Sequence, residues 1–597
     1  MILSWKQRLS EDNVGKLIGK LSKKELFLFL FGAITVALQV WAELELIDRM
    51  QEITLLVTTA GGTKSEILIA GAKMLGLAAG SVVCSLGIGY AAATIGANLS
   101  YTLRGELFAQ VQRFSMAEIN RFSTASLITR STNDITQVQM LISMGLHVAL
   151  RAPIMAVWAL SKIATKNGGW TATVVVAVAL LFCLLAAVFF IAVPRFKKIQ
   201  TLTDRINERM REHLTGLRVV RAFNAEEFQQ RNFEEANVAL AKNNLVAHRV
   251  MAAIHPVMTA IMSGLTLAIY WVGVYLIDAA AAPEKLTLYS EMVVFSAYAM
   301  QIVMSFMMMS FVFIMFPRAL VAAKRIKEVL ETEPSVKSGE RTQGLAGVRG
   351  EVAFQNVTFA YPDAERPILE HISFEAKQGE TVAFIGATGS GKTTIVNLIP
   401  RFYDVTAGSI FVDGVNVKEY DTHVLTEKIG YVSQKAILFA GDVTSNVSYG
   451  NEGRPHEKED VVRALEIASA YDFVADKEGQ EKAFVARGGA NFSGGQRQRL
   501  SIARALYKKP EILIFDDSFS ALDYKTDKEL RAALKREAKG TTLLIVAQRV
   551  GTIMDADKIV VLDEGKIAAI GTHRELLSTS PIYREIAESQ LSEEELK

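Results

Sequence analysis

Cysteine is nearly absent from this sequence: only Cys84 and Cys183 occur among 597 residues, and both lie within apolar runs. Neither a disulfide framework nor a cysteine-based metal site is therefore supported, and both thiols are expected in a core or against lipid. Net charge is also nearly absent, since 65 Lys and Arg oppose 63 Asp and Glu. This balance argues against a nucleic-acid partner.

The residues before the first apolar run lack the pattern of a cleaved signal peptide. They are rich in basic side chains, which is typical of a segment that stays in the cytosol. We interpret residues 1–24 as this cytosolic segment. Its basic residues are Lys6, Arg8, Lys16, Lys20, Lys23 and Lys24.

Apolar sequence, by contrast, is in excess. Half of the residues are hydrophobic, and the mean hydropathy is +0.23. The excess lies in the first half, whereas the sequence from about residue 350 has an ordinary globular composition. A bilayer crossing needs about 20 apolar residues, and six stretches meet this, which predicts a transmembrane domain over residues 25–318. The stretches are residues 25–47, 67–97, 141–164, 169–193, 252–278 and 289–317.

Six crossings return the chain to the side on which it starts, and the basic N-terminal segment makes that side the cytoplasm. We therefore expect a multi-pass protein of the inner (cytoplasmic) membrane with both termini cytoplasmic. The long connections after the second and fourth crossings have helical composition and would form hairpins reaching roughly 35–40 Å beyond the membrane. Short helices are expected at the hairpin ends, at 116–121 and 196–204, where they could touch a cytosolic domain. Independent solvated helices are the alternative.

Residues 319–346 are predicted to be a helix end followed by a linker, and residues 347–597 a soluble α/β domain. Its central motif is Gly-Ala-Thr-Gly-Ser-Gly-Lys-Thr at 386–393, between an apolar strand and a helix. The glycines let backbone N–H groups wrap a polyphosphate, the lysine reaches the β- and γ-phosphates, and the last threonine can bind Mg²⁺. The nucleotide-binding candidates are Gly386, Thr388, Gly389, Ser390, Gly391, Lys392, Thr393 and Thr394.

A second apolar strand ends in two carboxylates, Asp516 and Asp517. Asp516 is placed to hold Mg²⁺ through water, and Asp517 lies where a base could polarise an attacking water. The structural alternative is that the two acids only cap the strand. A phosphate loop upstream in the same domain favours the metal role for Asp516.

Between these motifs stands a Ser-Gly-Gly-Gln turn that opens a helix, formed by Ser493, Gly494, Gly495 and Gln496. By itself it is only a helix start suited to anions. Together with the phosphate loop and the six crossings, it makes the chain resemble an ATP-binding cassette (ABC) exporter half-transporter of the multidrug type over nearly its whole length. The predicted fold is a six-helix membrane domain with long cytoplasmic hairpins, fused to an α/β P-loop ATP-binding domain.

The resemblance implies roles for further residues. Tyr361 would stack on adenine, Gln434 would reach Mg²⁺ and sense the membrane hairpins, and Asp523 would lie at a dimer seam. The Ser-Gly-Gly-Gln turn of one subunit would close over ATP held by the phosphate loop of the other. The segments 126–134 and 216–223 fit the family's intracellular loops. The implied cofactors are ATP and Mg²⁺, and the implied partner is a second half-transporter in a lipid bilayer.

The sequence departs from the family pattern at two places. The family usually has Glu where this chain has Asp517, and His where it has Gln548. Aspartate is one methylene shorter, and misplacing a catalytic group by about 1 Å can cost about 10²-fold in rate. Glutamine can hydrogen-bond a phosphate but cannot carry a proton as imidazole does. Neutral drift is one explanation; the other, which we favour, is a site that binds ATP and hydrolyses it slowly.

The signature around the Ser-Gly-Gly-Gln turn, which would serve the other subunit's ATP, looks intact, with only Phe492 in place of the more usual Leu. We therefore expect a heterodimer whose partner carries Glu and His at the matching positions. The sixth crossing is rich in Met and Phe, which suits an adaptable apolar cavity or ordinary helix packing. These residues are Met300, Met304, Phe306, Met307, Met308, Met309, Phe311 and Phe313.

Two carboxylates near the end of the first crossing, Glu43 and Glu45, could meet a cationic compound or lie at the outer water interface. Export of hydrophobic, often cationic compounds is the favoured function. A lipid or lipopeptide flippase and a regulatory nucleotide-binding subunit without transport remain alternatives. An importer is disfavoured, since no feature for docking a binding protein is evident.

Overall fold

The computed structural model describes residues 22–58, 63–164, 168–450 and 458–591. The chain divides into two compact units. One comprises Met1–Gln110 and Ala125–Glu331, and the other comprises Val111–Thr124 and Thr332–Lys597. A short piece of the membrane half therefore belongs to the unit that contains the α/β domain. Most of the basic N-terminal segment lies outside the described residues.

Long helices make up the first unit because its apolar runs leave no other way to pair backbone groups within a bilayer. Among the described residues, six helical stretches are long and apolar enough to cross a membrane, which confirms the six predicted crossings. A π-helical turn, Arg130–Asp134, joins α4 to α5. The helices are α1 (Lys23–Thr58), α2 (Lys64–Gln112), α3 (Met116–Phe122), α4 (Thr124–Thr129), α5 (Ile135–Ala164), α6 (Gly168–Thr215), α7 (Leu217–Ala222), α8 (Glu226–Ala279) and α9 (Ala282–Glu331).

The interior of the membrane unit is formed mainly by α1, α5, α6, α8 and α9, with Ile88 of α2. Trp170 is fully buried, packs against Phe295 at 5.6 Å between ring centroids and donates its indole N–H to the Ile269 carbonyl oxygen. Apolar side chains on the outer faces of α6, such as Val176 and Phe182, remain exposed. Outward-facing apolar side chains are what a helix in lipid requires.

Of the two predicted hairpin ends, the structure has a short helix at the first but not at the second. A short helix does form at the first end, as α3. The second prediction, at 196–204, is wrong, because these residues lie in the middle of α6. The chain turns only at Gly216, between α6 and the short helix α7. Residues 196–204 contain no glycine or proline that would end a helix. Glycine at position 216 is about 1 kcal/mol less favourable in a helix than alanine, so the helix ends there.

A six-stranded mixed sheet, in the order β12-β11-β3-β10-β9-β6, forms the centre of the second unit. β11, β3, β10, β9 and β6 run parallel, so their carboxyl ends meet at one edge. A four-stranded antiparallel sheet has the order β2-β1-β4-β5, and β7 pairs with β8. The strands are β1 (Val352–Phe359), β2 (Leu369–Ala376), β3 (Thr381–Gly386), β4 (Ala407–Val412), β5 (Val415–Asn416), β6 (Ile429–Val432), β7 (Gly441–Asp442), β8 (Phe484–Val485), β9 (Ile512–Asp516), β10 (Thr542–Val546), β11 (Lys558–Asp563) and β12 (Lys566–Gly571).

Both faces of the central sheet are covered, one mainly by helices and the other by α10 (Lys392–Leu398) together with the four-stranded sheet. Along β3, Val382 and Phe384 point into one core, while Ala383 and Ile385 point into the other. This alternation follows from the two-residue period of a strand. The helices are α10 (Lys392–Leu398), α11 (Thr422–Glu427), α12 (Val443–Val447), α13 (Lys458–Ile467), α14 (Tyr471–Ala475), α15 (Gly494–Tyr507), α16 (Tyr524–Glu537), α17 (Val550–Ile553), α18 (His573–Thr579) and α19 (Pro581–Glu588).

Candidate functional site

The loop that joins β3 to α10 has the shape of a phosphate cradle. Its glycines are required by geometry at two positions. A Cβ on Gly386 would lie 2.1 Å from the Leu562 carbonyl oxygen, and a Cβ on Gly391 would lie 2.5 Å from the Leu369 side chain. Gly391 also has a φ of +95°, which non-glycine residues rarely adopt. The loop can therefore pass close to the sheet and turn its N–H groups toward a ligand.

Lys392 folds back across this loop. Its Nζ donates to the carbonyl oxygens of Gly386 and Ala387, at 3.0 and 2.8 Å, and lies 3.4 Å from Ser390 Oγ. Burial lowers the pKa of Lys392, and the nearby Asp517 and Asp516 carboxylates oppose that shift. An ammonium held inside a ring of backbone groups fits a polyphosphate, since it supplies positive charge where the β- and γ-phosphates would lie. Of the other loop candidates, Ser390 is buried, and Thr388 and Gly389 are exposed.

Thr393 and Asp516 form the corner suited to a divalent cation. The Thr393 hydroxyl donates to Asp516 Oδ1 at 2.8 Å, and Asp516 ends the fully buried strand β9. The Tyr431 hydroxyl lies 3.4 Å from the other oxygen of Asp516 and 2.8 Å from Asn397 Oδ1. Hydroxyl and carboxylate oxygens are the ligands that Mg²⁺ prefers, so these residues fit the metal that would accompany ATP.

The remaining candidate catalytic residues, Gln434 and Gln548, are both hydrogen-bonded to the Asp517 carboxylate. Gln434 Nε2 donates to Asp517 Oδ2 at 3.1 Å, and Gln548 Nε2 donates to the same oxygen at 2.7 Å. Asp517 itself has a φ of +48°, a conformation that aspartate tolerates better than most residues. One carboxylate oxygen therefore serves two amides, and the acid is 7% exposed. The two amides fix the position of this carboxylate, which is shorter than a glutamate and already hydrogen-bonded.

Tyr361 lies beside the loop. Its hydroxyl is 3.1 Å from the hydroxyl of Thr394, and its ring meets the rings of Phe359 and Tyr403 edge to face, at 4.9 and 5.2 Å. The aromatic cluster fixes the plane of the Tyr361 ring next to the phosphate loop. That placement suits stacking on a planar base.

The Ser-Gly-Gly-Gln turn is prearranged by its own hydrogen bonds. Ser493 caps α15, accepting from the Gln496 N–H at 3.3 Å, while Gln496 Oε1 accepts from the Ser493 N–H at 2.9 Å. This capping box holds the helix start without outside help. Gly494 has open space where a Cβ would be, and Ser493 is exposed. The turn is therefore free to meet a ligand. Asp523 caps α16 through Thr526.

Several residues of the site were missed by sequence reasoning. Tyr431 and Asn397 support Asp516, and Gln498, 2% exposed, donates to the backbone of Ser433 at 3.2 Å. A buried polar residue next to a motif is the signal that could have found Gln498, since buried polar groups need partners.

The short helix α3 docks on the α/β domain within the second unit. Asn120 donates to the Tyr403 hydroxyl at 3.0 Å, and Glu118 accepts from the Ser335 N–H at 3.2 Å. Tyr403 in turn packs on Tyr361. A continuous chain of contacts thus connects the end of the first hairpin with the phosphate loop, as a device that transmits ATP binding would need.

Glu118 is the main polar anchor of α3. Burial alone would raise the pKa of Glu118, but hydrogen bonds from Ser115 and Ser335 lower it below its usual value. We expect Glu118→Ala to leave those donors unpaired and to cost about 1–3 kcal/mol of local stability. Amide exchange in α3 should then accelerate roughly 5- to 150-fold. The matched control is Glu333→Ala, which removes an acid that is 81% exposed. Equal acceleration in both variants would rule out the anchor role.

Magnesium binding should follow the ionisation of Asp516. Burial raises the pKa of Asp516, while the hydrogen bond from Thr393 opposes the shift. Because the carboxylate must be ionised to hold the metal, the Mg²⁺-dependent part of ATP binding should be lost as pH falls through this raised pKa. The loss should begin above the ordinary aspartate value of about 3.9. Titration with a fluorescent ATP analogue, with Mg²⁺ or with EDTA, measures it. Asp516→Asn should remove the difference between the two titrations.

A membrane unit with six spanning helices and an α/β unit with a phosphate loop together define an ATP-driven membrane transporter. The comparisons with known proteins specify which one. The family model described as ABC transporter matches residues 369–520, and the model described as ABC transporter transmembrane region matches residues 29–306. The chain belongs to the ABC transporter family, as an exporter half-transporter with one membrane domain and one ATP-binding domain.

Curated relatives align over most of their length. An uncharacterised ABC transporter ATP-binding protein of Mycobacterium tuberculosis is 39% identical over 89% of this chain and 90% of its own. A Bacillus subtilis protein with the same description is 36% identical over the same shares. An ATP-dependent lipid A-core flippase of Vibrio parahaemolyticus is 30% identical over 84% of this chain and 85% of its own.

A solved structure shows the same fold. The ATP-bound structure of a bacterial Atm1-family ABC exporter superposes with a TM-score of 0.79, covering 96% of this chain and 100% of the other, at 24% identity. The fold class predicted from the sequence is thereby confirmed. Membership of the family implies that the domain binds ATP and has ATPase activity.

Proposed function

We propose that the chain exports hydrophobic or amphipathic compounds as one half of a heterodimeric ABC exporter, and that its own ATP site binds ATP but hydrolyses it slowly. The observation that carries the slow site is the engagement of Asp517 Oδ2 by both Gln434 and Gln548. A carboxylate that is one methylene short and already hydrogen-bonded is poorly placed to orient water. Gln548 cannot take up a proton in its place.

In this proposal Tyr361 stacks on adenine, and the loop from Gly386 to Thr394 holds the phosphates. Thr393, Asp516 and Gln434 hold Mg²⁺. Ser493 to Gln496 would complete the partner's ATP site, which is the hydrolytic one. When bound, Mg²⁺ would neutralise charge on the phosphates. The domain division at residues 24, 318 and 346, the cytoplasmic termini and the inner (cytoplasmic) membrane are part of the same proposal, supported by the basic N-terminal sequence and the six crossings.

The test is to purify the tagged chain from its host in mild detergent and to measure what copurifies. We expect a second half-transporter at equal amount, with Glu and His where this chain has Asp517 and Gln548. Recovery of this chain alone, as a homodimer with fast ATP hydrolysis, would contradict both the heterodimer and the slow site. A homodimer without transport activity would favour a regulatory subunit.

A lipid flippase is the second candidate, since one relative is a lipid A-core flippase. It predicts ATPase stimulation by lipids rather than by drug-like compounds. The cationic preference suggested by the two acids of α1 is not retained. Glu43 pairs with Arg151 at 2.8 Å, and Glu45 pairs with Arg49 at 2.7 Å.

A further inference from the structure

The membrane unit contains a cavity of about 380 Å³ between α1, α5 and α9. Its walls are unusually rich in thioethers, from Met155, Met300, Met304 and Met308. Methionine side chains are flexible and polarizable, so they can adapt to apolar groups of different shape. The volume lies within the range of small-molecule sites, about 300–1,000 Å³. The side chains of Phe311 and Phe313 lie outside the described part of the structure.

One charged side chain, Arg151, lines this cavity. One of its terminal nitrogens donates to Glu43 Oε2 at 2.8 Å. The other terminal nitrogen has a single partner among the described residues, the thioether of Met308 at 3.9 Å. A thioether is a weak acceptor, so a strong donor is left facing a cavity whose other lining side chains are apolar except for Gln301 and Ser305. A ligand oxygen there would satisfy it.

The Glu43 carboxylate, by contrast, is already hydrogen-bonded at both oxygens. Oε2 accepts from Arg151, while Oε1 accepts from Gln39 at 3.0 Å and faces the Ser81 hydroxyl at 3.4 Å. Asp48, further along α1, is also engaged, because it accepts from Lys162 at 2.6 Å and from Tyr298 at 2.5 Å. A cationic ligand would have to compete with these partners for the carboxylates, whereas an anionic ligand would meet a guanidinium nitrogen whose present partner is a weak acceptor.

We propose that this cavity binds the head of an amphipathic anion, a phosphate monoester or a free carboxylate on an apolar chain, with Arg151 as the residue that selects the charge. This rests on the proposed export function and names its substrate class. The second terminal nitrogen of Arg151 would donate to the ligand oxygen, and the four methionines would cover the adjoining methylenes. Charge-assisted hydrogen bonds of this kind are roughly twice as strong as neutral ones.

Binding of three probes with the same chain length tests the proposal: dodecylphosphate, dodecanol and dodecyltrimethylammonium. The full chain, with its partner if one copurifies, is held in nanodiscs of zwitterionic lipid without nucleotide, and uptake by empty nanodiscs is subtracted. We expect dodecylphosphate to bind about tenfold more tightly than the ammonium probe. Equal or tighter binding of the ammonium probe would overturn the proposal.

Two substitutions should act in opposite directions. Arg151→Gln should weaken dodecylphosphate about tenfold and leave dodecanol unchanged, whereas Glu43→Gln should strengthen dodecylphosphate several-fold, because it removes the internal competitor for Arg151. A purely structural ion pair would weaken binding in both variants, and that result would reject the proposal. The double variant, which leaves no charge unpaired, should bind all three probes alike; a remaining preference for phosphate would also reject it.

Arg49→Gln is the matched control. Arg49 pairs with Glu45 and Glu52 of its own helix and does not line the cavity, so the preference for phosphate should remain. Loss of that preference in Arg49→Gln would assign it to overall charge and not to Arg151. Because binding is measured without ATP, a preference that persists while ATP-driven export fails would count against the export function alone.

Discussion

Gly495→Asp is expected to abolish ATP hydrolysis by the two-subunit transporter, with a loss of at least about 10²-fold. The carboxylate would stand in the exposed start of α15, where the partner's polyphosphate would lie, and would repel it. A Cβ at this position lies 3.3 Å from the Ala521 carbonyl oxygen, so the neighbouring backbone has to move by a few tenths of an ångström. Steady-state phosphate release by the purified pair measures the effect.

The loss of ATP hydrolysis in Gly495→Asp is to be compared with the loss in Asp517→Ala. If the partner's site does the hydrolysis, Asp517→Ala in this chain should leave the activity of the pair within about twofold, because one slow site contributes little of it. The control for an added carboxylate is Ala532→Asp, on the exposed side of α16. Equal losses from Gly495→Asp and Asp517→Ala would mean two equivalent sites and would contradict the asymmetric motor.

The phosphate loop could be predicted from sequence alone because its parts are contiguous. Strand, turn and helix start follow one another within 381–398. The convergence on Asp517 is different. Gln434 is 83 residues away and Gln548 is 31 residues away, and they meet only because β6, β9 and β10 are neighbours in a parallel sheet. Strand order is not encoded in any one strand, so only the family resemblance connected these residues.

In the membrane unit, too, contacts between segments distant in sequence could not be predicted. Hydropathy predicted six crossings, because each crossing depends on its own composition. It could not predict that Glu43 meets Arg151, 108 residues later, since the rotation of a helix about its axis is set by packing against its neighbours. The second hairpin end was misplaced for a related reason: amphipathic, charged sequence in 196–204 continues a helix as readily as it begins one.

Restoring both family residues should create a fast site. For Asp517→Glu with Gln548→His, we expect ATP hydrolysis by the purified chain to rise about 10²-fold. The added methylene moves the carboxylate outward, beyond the two amides that now share Asp517 Oδ2, and imidazole can exchange a proton near neutral pH. Phosphate release under saturating ATP is the measurement, made on the chain by itself and on the pair.

The backbone conformation at position 517 limits the expected gain in ATP hydrolysis. The backbone at position 517, with its φ of +48°, favours aspartate over glutamate, so part of the gain is offset by strain on the order of 1 kcal/mol. Asp517→Asn with Gln548→His keeps the short side chain and the imidazole but removes the carboxylate, and it should show no gain. If the glutamate variant is no faster than the wild-type chain, the two departures from the family pattern do not limit hydrolysis. The slow step would then lie in closing the two ATP-binding domains over the nucleotide.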